Sequence, residues 1–426
     1  REQLLEFVVL HNVDLIVLAI HAISGHEFRE ILSVCQNAPA RIKIVPDVFE
    51  ALATSANKSL LRDVTVDDFL GRGPAEIDIE VCRSMLQGRT VLVTGGAGSI
   101  GSELCRQALA FDASLVVALD MNETGLYELQ AETKMTHSKC NLKVCVADVT
   151  DLDQVKMLFE RYRPEVVYHT AAYKHVPLME SHPRIALRTN VVGTLNVGLS
   201  AREVGSDRFV LISTDKAVEP ASIYGVTKLI AEQVTASLAV ASSSTLFTCV
   251  RFGNVLGSRG SVVPLFERQI AAGGPITVTH PDITRFYMTI PEAVRLVIQA
   301  SALTSGGDLF MLEMGESIRI TELAERMIRL HGLRPEVDIK IEFTGLRPGE
   351  KLHEELIEAE ERRKATNHAQ IYKVVPGSRK SNNSDLDSLD EWIYSALDLP
   401  ENELESQLRS YSGDGDLVTQ PNSSER

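Results

Sequence analysis

Short apolar runs alternate along the chain with segments whose apolar residues recur every three or four positions, the signature of strands alternating with helices. Residues 2–11 read as a helix, Asp14–Ile20 (DLIVLAI) as a buried strand, Glu27–Cys35 (EFREILSVC) as an amphipathic helix and Arg41–Pro46 (RIKIVP) as a second strand. Two strands are too few for an open parallel sheet. The chain is therefore expected to begin inside a partial α/β domain, with the missing portion ahead of Arg1. A Gly/Pro-rich joint follows at Leu70–Glu76 (LGRGPAE). Beyond it come strands at Thr90–Thr94, Leu115–Asp120, Leu142–Asp148, Val166–His169, Phe209–Ser213 and Thr248–Arg251, with helices between. About six strands in this order predict a doubly wound parallel sheet. After Gly257 the alternation loses regularity, which predicts a smaller, loop-rich substrate lobe interleaved with the sheet and drawn mainly from residues 257–375. The expected organisation is a partial domain over 1–75, a catalytic domain over 76–375 and a tail over 376–426. In that tail Leu386–Leu399 reads as one short amphipathic helix and the remainder as disordered.

Composition narrows the class. The 426 residues are 44 % hydrophobic and 24 % charged, an ordinary globular balance, and no run of eighteen apolar residues marks a membrane span. The formal charge of −15 argues against nucleic acid as a partner. Ser381–Arg426 alone holds 11 acidic and 2 basic residues. The six cysteines show neither CxxC pairs nor a disulfide framework, which predicts reduced thiols and a cytoplasmic location. No His/Cys cluster has metal-ligand spacing, so no metal is expected.

The first chemical motif is Thr94-Gly95-Gly96-Ala97-Gly98-Ser99-Ile100-Gly101, directly after a strand and opening a helix read over Ser102–Phe111. Glycines serve where backbone turns sharply and must approach a pyrophosphate, and the helix N-terminus offers free N–H groups to the phosphates. Asp120 closes the next strand, where a carboxylate can accept both ribose hydroxyls; Met121 and Asn122 follow, with no arginine for a 2′-phosphate, which points to NAD. Asp148-Val149 ends the following strand, near the place of an adenine, and reads equally well as a strand-end turn.

The second is a Tyr224-x-x-x-Lys228 pair, one turn apart on a helix face, preceded by Ser213-Thr214-Asp215-Lys216 at a strand end. A phenol with pKa near 10 becomes a base only beside positive charge. Thr214 can hydrogen-bond a substrate hydroxyl, while Asp215 and Lys216 place an acid and a base side by side.

TGGAGSIG, STDKA and YGVTK together resemble the extended short-chain dehydrogenase/reductase superfamily, and more narrowly the CapD-like polysaccharide-biosynthesis nucleotide-sugar 4,6-dehydratases. Further matches are HTAAYKHVPLME (His169–Glu180), RFGNVLGSRGSVVPLF (Arg251–Phe266), THPDITRFYMTIPEA (Thr279–Ala293) and GLRPGEKLHEEL (Gly345–Leu356), and the resemblance runs from about Leu70 to Lys373. It implies that Thr214 orients the sugar, Asp215 is the acid for water loss, Lys216 the base at C5, Tyr224 the acceptor of the C4 hydroxyl proton, and Lys228 the residue positioning tyrosine and nicotinamide ribose. It adds Ala171 and Ala172 to the cofactor site and Lys174 as a substrate or nicotinamide contact. Arg251, Asn254, Arg259, Ser261, Arg285, Arg347 and Glu350, with Lys351 nearby, are then expected around a UDP-sugar, whose diphosphate suits arginine forks. The implied activity is NAD-dependent UDP-N-acetylglucosamine 4,6-dehydration; a nucleotide-sugar 4-epimerase and a non-catalytic NAD-sensing protein are the alternatives. Large members carry methionine at the position of Tyr224 and small configuration-inverting members tyrosine, which leaves the C5 configuration open. A homo-oligomer is expected, membrane-tethered in its full-length form through a missing N-terminal region.

Overall fold

The computed structural model describes residues 3–20, 25–36, 38, 40–45, 62–63, 77–136, 141–242, 244–377 and 386–411. They form two compact units. One gathers the described residues of Arg1–Ala75 with Asn254–Glu292 and Gly315–Leu346; the other holds Glu76–Gly253, Ala293–Met314 and those of Arg347–Arg426.

The first unit opens with helix Gln3–Leu10, strand β1 (Leu15–Leu18), helix Gly25–Gln36, β2 (Arg41–Ile44) and the two-residue β3 (Arg62–Asp63). β1 and β2 are parallel and β3 is antiparallel to β2. Leu18, Leu32, Cys35 and Ile44 make its small core, against which Leu330 packs.

The second unit carries β4 (Thr90–Thr94), β5 (Leu115–Asp120), β6 (Leu142–Val146), β7 (Val166–His169), β8 (Arg208–Ile212) and β9 (Leu246–Arg251). Val91, Leu92, Val93, Val116, Val117, Phe209, Val210 and Phe247 are fully buried, as expected of parallel strands covered on both faces. From residue 254 the chain alternates between units. β10 (Asn254–Val255), β11 (Ile276–Val278), β12 (Thr284–Arg285) and β13 (Tyr287–Met288) belong to the first, and β14 (Asp308–Leu312) to the second. β15 (Ile318–Arg319) and β16 (Ile341–Phe343) return to the first; β17 (Arg362–Ala365) and β18 (Ile371–Val375) end in the second.

The main sheet runs β17-β18-β14-β9-β8-β7-β4-β5-β6. Among the described residues it is nine-stranded rather than six, because β14, β18 and β17 come from the stretch whose sequence pattern is irregular. β4 to β9 reproduce the doubly wound order, with the direction of winding reversing between β4 and β7. Thr94 and His169 pair in register at the ends of those two strands, so the ligand crevice of such a fold opens there.

Within residues 257–375, Ala293–Met314 and the residues from Arg347 belong to the unit that holds the main sheet. The tail is also more ordered than its composition suggests. Helices Leu386–Asp398 and Glu401–Arg409 bury Leu389, Trp392, Ile393, Ala396, Leu404 and Leu408 in the main core. The second helix corrects the expectation of disorder beyond Leu399, because its apolar residues, four apart, face the core while its acids face water. Residues 412–426 lie outside the described part of the chain.

Candidate active site

The helix after β4 starts at Ser99, three residues earlier than its periodicity suggests, with Gly98 as a cap that makes no side-chain hydrogen bond. Gly95 has φ of 67°, and a Cβ on Gly101 would stand 2.1 Å from Gly95 O. These two glycines let the turn close on itself and the helix begin against it. Asp120 ends β5 and is tied to the turn: Oδ2 accepts the Ala97 amide at 3.0 Å and Oδ1 the Asn122 amide at 2.9 Å. Asp148 Oδ1 accepts the Thr150 amide at 2.8 Å, which is the turn geometry open to it in the sequence. Val149 is buried, and its carbonyl accepts from Asn196 Nδ2 at 3.0 Å.

His169 locks the crevice. The Thr194 hydroxyl donates to Asn190 O at 2.7 Å, so it must accept from His169 Nε2–H at 3.0 Å. Nδ1 is then the acceptor for the Thr94 hydroxyl at 2.7 Å, and Thr94 Oγ1 accepts the Ala171 amide at 3.3 Å. Burial, and secondarily the charge of Lys228, push the His169 pKa down to about 3, so the ring is neutral and its tautomer fixed.

Thr214 follows β8, and Asp215–Ala217 form a single 3-10 turn. Lys216 Nζ donates to Asp215 Oδ1 at 2.9 Å and lies 3.5 Å from Glu354 Oε1. The Thr214 hydroxyl donates to the same Asp215 oxygen at 2.8 Å. Asp215 is fully buried, and among the described residues its Oδ2 meets no donor.

Helix Ile223–Val240 is capped by Ser222, whose Oγ accepts the Gly225 amide at 3.0 Å. A Cβ on Gly225 would fall 2.2 Å from Lys216 O, so only glycine lets this helix start against the acid–base turn. Tyr224 and Lys228 follow on one face. The Tyr224 phenol is hydrogen-bonded to Thr214; burial raises its pKa to about 12, against the pull of the Lys216 charge. Lys228 is buried, donates to Ile212 O at 2.7 Å, and is brought down to about 8 by burial against the attraction of Glu232. The charge that most favours the phenolate thus belongs to Lys216, not to Lys228. Lys174 is lowered by burial and by the charge of Lys216, which places it beside the same turn.

A scan against family models matches residues 91–376 to the family described as polysaccharide biosynthesis protein. The chain belongs to that family. The chain is 44 % identical over 373 residues to the capsular polysaccharide biosynthesis protein CapD of Staphylococcus aureus, covering 87 % of this chain and 62 % of the relative's length. Two curated enzymes are similar at nearly equal identity. The UDP-N-acetylglucosamine 4,6-dehydratase (inverting) of Campylobacter jejuni serotype O:23/36 is 32 % identical, covering 68 % of this chain and 84 % of the enzyme. A UDP-glucose 4-epimerase of Rickettsia canadensis is 33 % identical, covering 70 % and 86 %. Among solved structures, Pen from Bacillus thuringiensis matches with a TM-score of 0.63 at 36 % identity, covering 68 % of this chain and 88 % of that one. The fold is that of the extended short-chain dehydrogenases/reductases.

In this chain Thr214, Asp215, Lys216, Tyr224 and Lys174 come together, and the Gly-rich turn with Asp120 stands at the neighbouring strand ends. Arg251 does not serve as expected. It is 1 % exposed, and its guanidinium is spent on two carboxylates: Nε and Nη2 on Glu232 at 2.8 and 2.7 Å, Nη1 on Glu361 at 2.8 Å. A fully paired, buried fork is not offered to a diphosphate. Glu350 Oε2 accepts the Arg347 amide at 3.1 Å and so shapes its own turn, with Arg347 exposed. Lys351 Nζ donates to Val218 O at 3.0 Å, pinning this segment to the acid–base turn. Asn254, Arg259, Ser261 and Arg285 belong to the other unit. There Asn254 sits in β10, Ser261 precedes helix Val262–Ala271, and Arg285 Nη1 donates to Thr284 O at 2.8 Å.

Two residues of the site are not singled out by the chemical motifs of the sequence. Glu354, 138 positions after Lys216, reaches its ammonium from the Gly345–Leu356 segment. Asn190, inside a π-helical turn at Arg188–Val192, accepts the Tyr173 amide at 2.9 Å and donates to Tyr173 O and Thr227 Oγ1, both at 3.0 Å. It ties the Lys174 loop to the Tyr224 helix. A π turn is a frequent mark of function, but no local sequence pattern announces one.

Proposed function

We propose that this protein is an NAD-dependent nucleotide-sugar 4,6-dehydratase acting on UDP-N-acetylglucosamine. The observation that carries the reading is the partly buried 2.9 Å contact between Lys216 Nζ and Asp215 Oδ1, joined through Thr214 to Tyr224. Removing water across C5 and C6 needs a base and an acid on adjacent atoms at the same moment, and a neighbouring Lys–Asp pair meets that need. A 4-epimerase needs only a proton shuttle at the C4 oxygen, which would leave the pair without a task. The similarity to an inverting UDP-N-acetylglucosamine 4,6-dehydratase adds support.

The Gly-rich turn, a helix N-terminus without a side-chain cap and the Asp120 carboxylate fit the diphosphate and ribose of a dinucleotide. When bound, NAD supplies the acceptor for the C4 hydride and returns it to C6. Asp120 repels a 2′-phosphate and so favours NAD over NADP. With the proton of the Lys216–Asp215 contact resting on Asp215, Tyr224 as phenolate takes the C4 hydroxyl proton, neutral Lys216 the C5 proton made acidic by the new 4-ketone, and Asp215 protonates the departing C6 oxygen. Lys228 holds the end of β8 through Ile212 O, and its remaining protons can bond the nicotinamide ribose. Lys174 faces the substrate. Arg347 and Glu350, in the same unit as the acid–base turn, are proposed to bind the UDP-sugar.

The test is incubation with UDP-N-acetylglucosamine and NMR identification of the product. A 4-keto-6-deoxy sugar supports the reading; a C4 epimer as sole product overturns it.

A further inference from the structure

Each turnover of the proposed dehydration moves one proton across the site. Tyr224 gains the proton of the C4 hydroxyl. Asp215 loses one to the C6 oxygen as the C6–O bond breaks and water leaves. Lys216 takes the C5 proton and later returns one to C5, and the hydride pair of electrons leaves C4 and comes back to C6. Tyr224 therefore ends with one proton too many and Asp215 with one too few.

The Thr214 hydroxyl stands between them. It donates to Asp215 Oδ1 at 2.8 Å and is hydrogen-bonded to the Tyr224 phenol. The Lys216 amide fixes its oxygen from a third side at 3.4 Å. Thr214, Asp215 and Tyr224 are all buried, at 8 %, 0 % and 8 % exposure, so bulk water is not an easy source for the missing proton. Lys216 Nζ also donates to Asp215 Oδ1, but a proton given up there would be missing when C5 is reprotonated.

We propose that Thr214 is a proton relay that resets the site after each turnover, an inference that rests on the dehydratase reading. The Tyr224 O–H bond breaks as a new bond forms to Thr214 Oγ1, and the proton already on Thr214 passes to Asp215 Oδ1. One proton leaves Tyr224, one arrives on Asp215, and Thr214 is unchanged. The proton taken from the C4 hydroxyl thus becomes the proton that departs in water.

The experiment compares Thr214→Val, which keeps the shape and loses the hydroxyl, with Thr214→Ser, which keeps the hydroxyl. Product formed by NAD-loaded enzyme from UDP-N-acetylglucosamine is followed through the first turnover and into the steady state. The relay predicts that Thr214→Val completes about one turnover per site and then slows, by about 10²-fold if a full general-acid contribution is lost. Its slow phase should weaken as pH rises and be accelerated by small acidic buffers, whereas Thr214→Ser should show neither burst nor buffer rescue. Thr214→Ala provides the same comparison if the valine variant does not fold. Equal slowing of first and later turnovers, as expected of a residue that only orients the sugar, would overturn the relay, as would a steady state equal to wild type. Wild-type enzyme making no 4-keto-6-deoxy product would instead overturn the dehydratase reading, so the two failures are distinct.

Discussion

Arg409 Nη2 lies 2.7 Å from Glu180 Oε2, and the other oxygen of that carboxylate accepts the Ile223 amide at 2.7 Å, one residue before Tyr224. Through Glu180 a helix of the acidic tail is joined to the first turn of the helix that carries the phenol. Arg184 adds to the attachment by bonding Leu397 O, Leu399 O and Glu401.

Truncation after Pro376 should therefore be severe. It removes Leu389, Trp392, Ile393, Leu404 and Leu408 from the core, and each such side chain contributes about 1.5–3 kcal/mol by burial. A clear fall in Tm and in activity is expected; an unchanged Tm would contradict an integral tail. Trp392 is the only tryptophan in the chain, so its fluorescence should report unfolding together with the circular dichroism of the whole domain.

Arg251→Ala should act on stability rather than on substrate binding. Removing one partner of a buried ion pair costs about 3–5 kcal/mol, because the carboxylates of Glu232 and Glu361 are left uncompensated. Denaturant titration should register that loss. A normal stability with a selectively raised KM would return Arg251 to the substrate site.

His169 gives stability a pH dependence of known sign. Its pKa is about 3 folded and near 6.5 unfolded, so below pH 6.5 the unfolded chain binds the extra proton. Its contribution is present above pH 6.5 and is lost as pH falls towards 3, at about 1.4 kcal/mol per pH unit. Between pH 6.5 and 5, before carboxylates titrate, His169→Gln should flatten the slope. Equal slopes in both proteins would show that the ring is not held neutral.

Asp120→Ala should weaken dinucleotide binding by about 1–3 kcal/mol through the lost ribose hydrogen bonds. The loss should be larger than for a ribose contact alone, since the Ala97 amide loses its acceptor too. Calorimetry measures the affinity, and cofactor released from denatured wild-type protein should be NAD(H). Release of mostly NADP(H) would contradict the assignment.

Much of this fold is legible along the chain. β4 and β7 coincide with their apolar runs, because strands buried on both faces must be continuously apolar. The Gly-rich turn, Asp120 and the Thr214–Lys216 turn with Tyr224 are readable because each depends on neighbours close in sequence. Arg251 misleads because an arginine beside a Gly-rich segment looks the same whether it awaits a phosphate or is paired to Glu232 and Glu361 in the core. Glu354 and Asn190 depend on pairings made only by the tertiary fold. Helix Glu401–Arg409 is hidden by its acids, which outnumber the two leucines it buries.

The reaction class is tested most directly by the fate of two hydrogens. In D₂O, the product from UDP-N-acetylglucosamine should carry deuterium at C5, because Lys216 removes that hydrogen and a solvent-exchanged proton returns; C4-deuterated substrate should deliver its label to C6. Lys216→Ala should abolish the C5 exchange. Wild-type product formed in D₂O with no deuterium at C5 would contradict the elimination, and with it the base role of Lys216 and the acid role of Asp215.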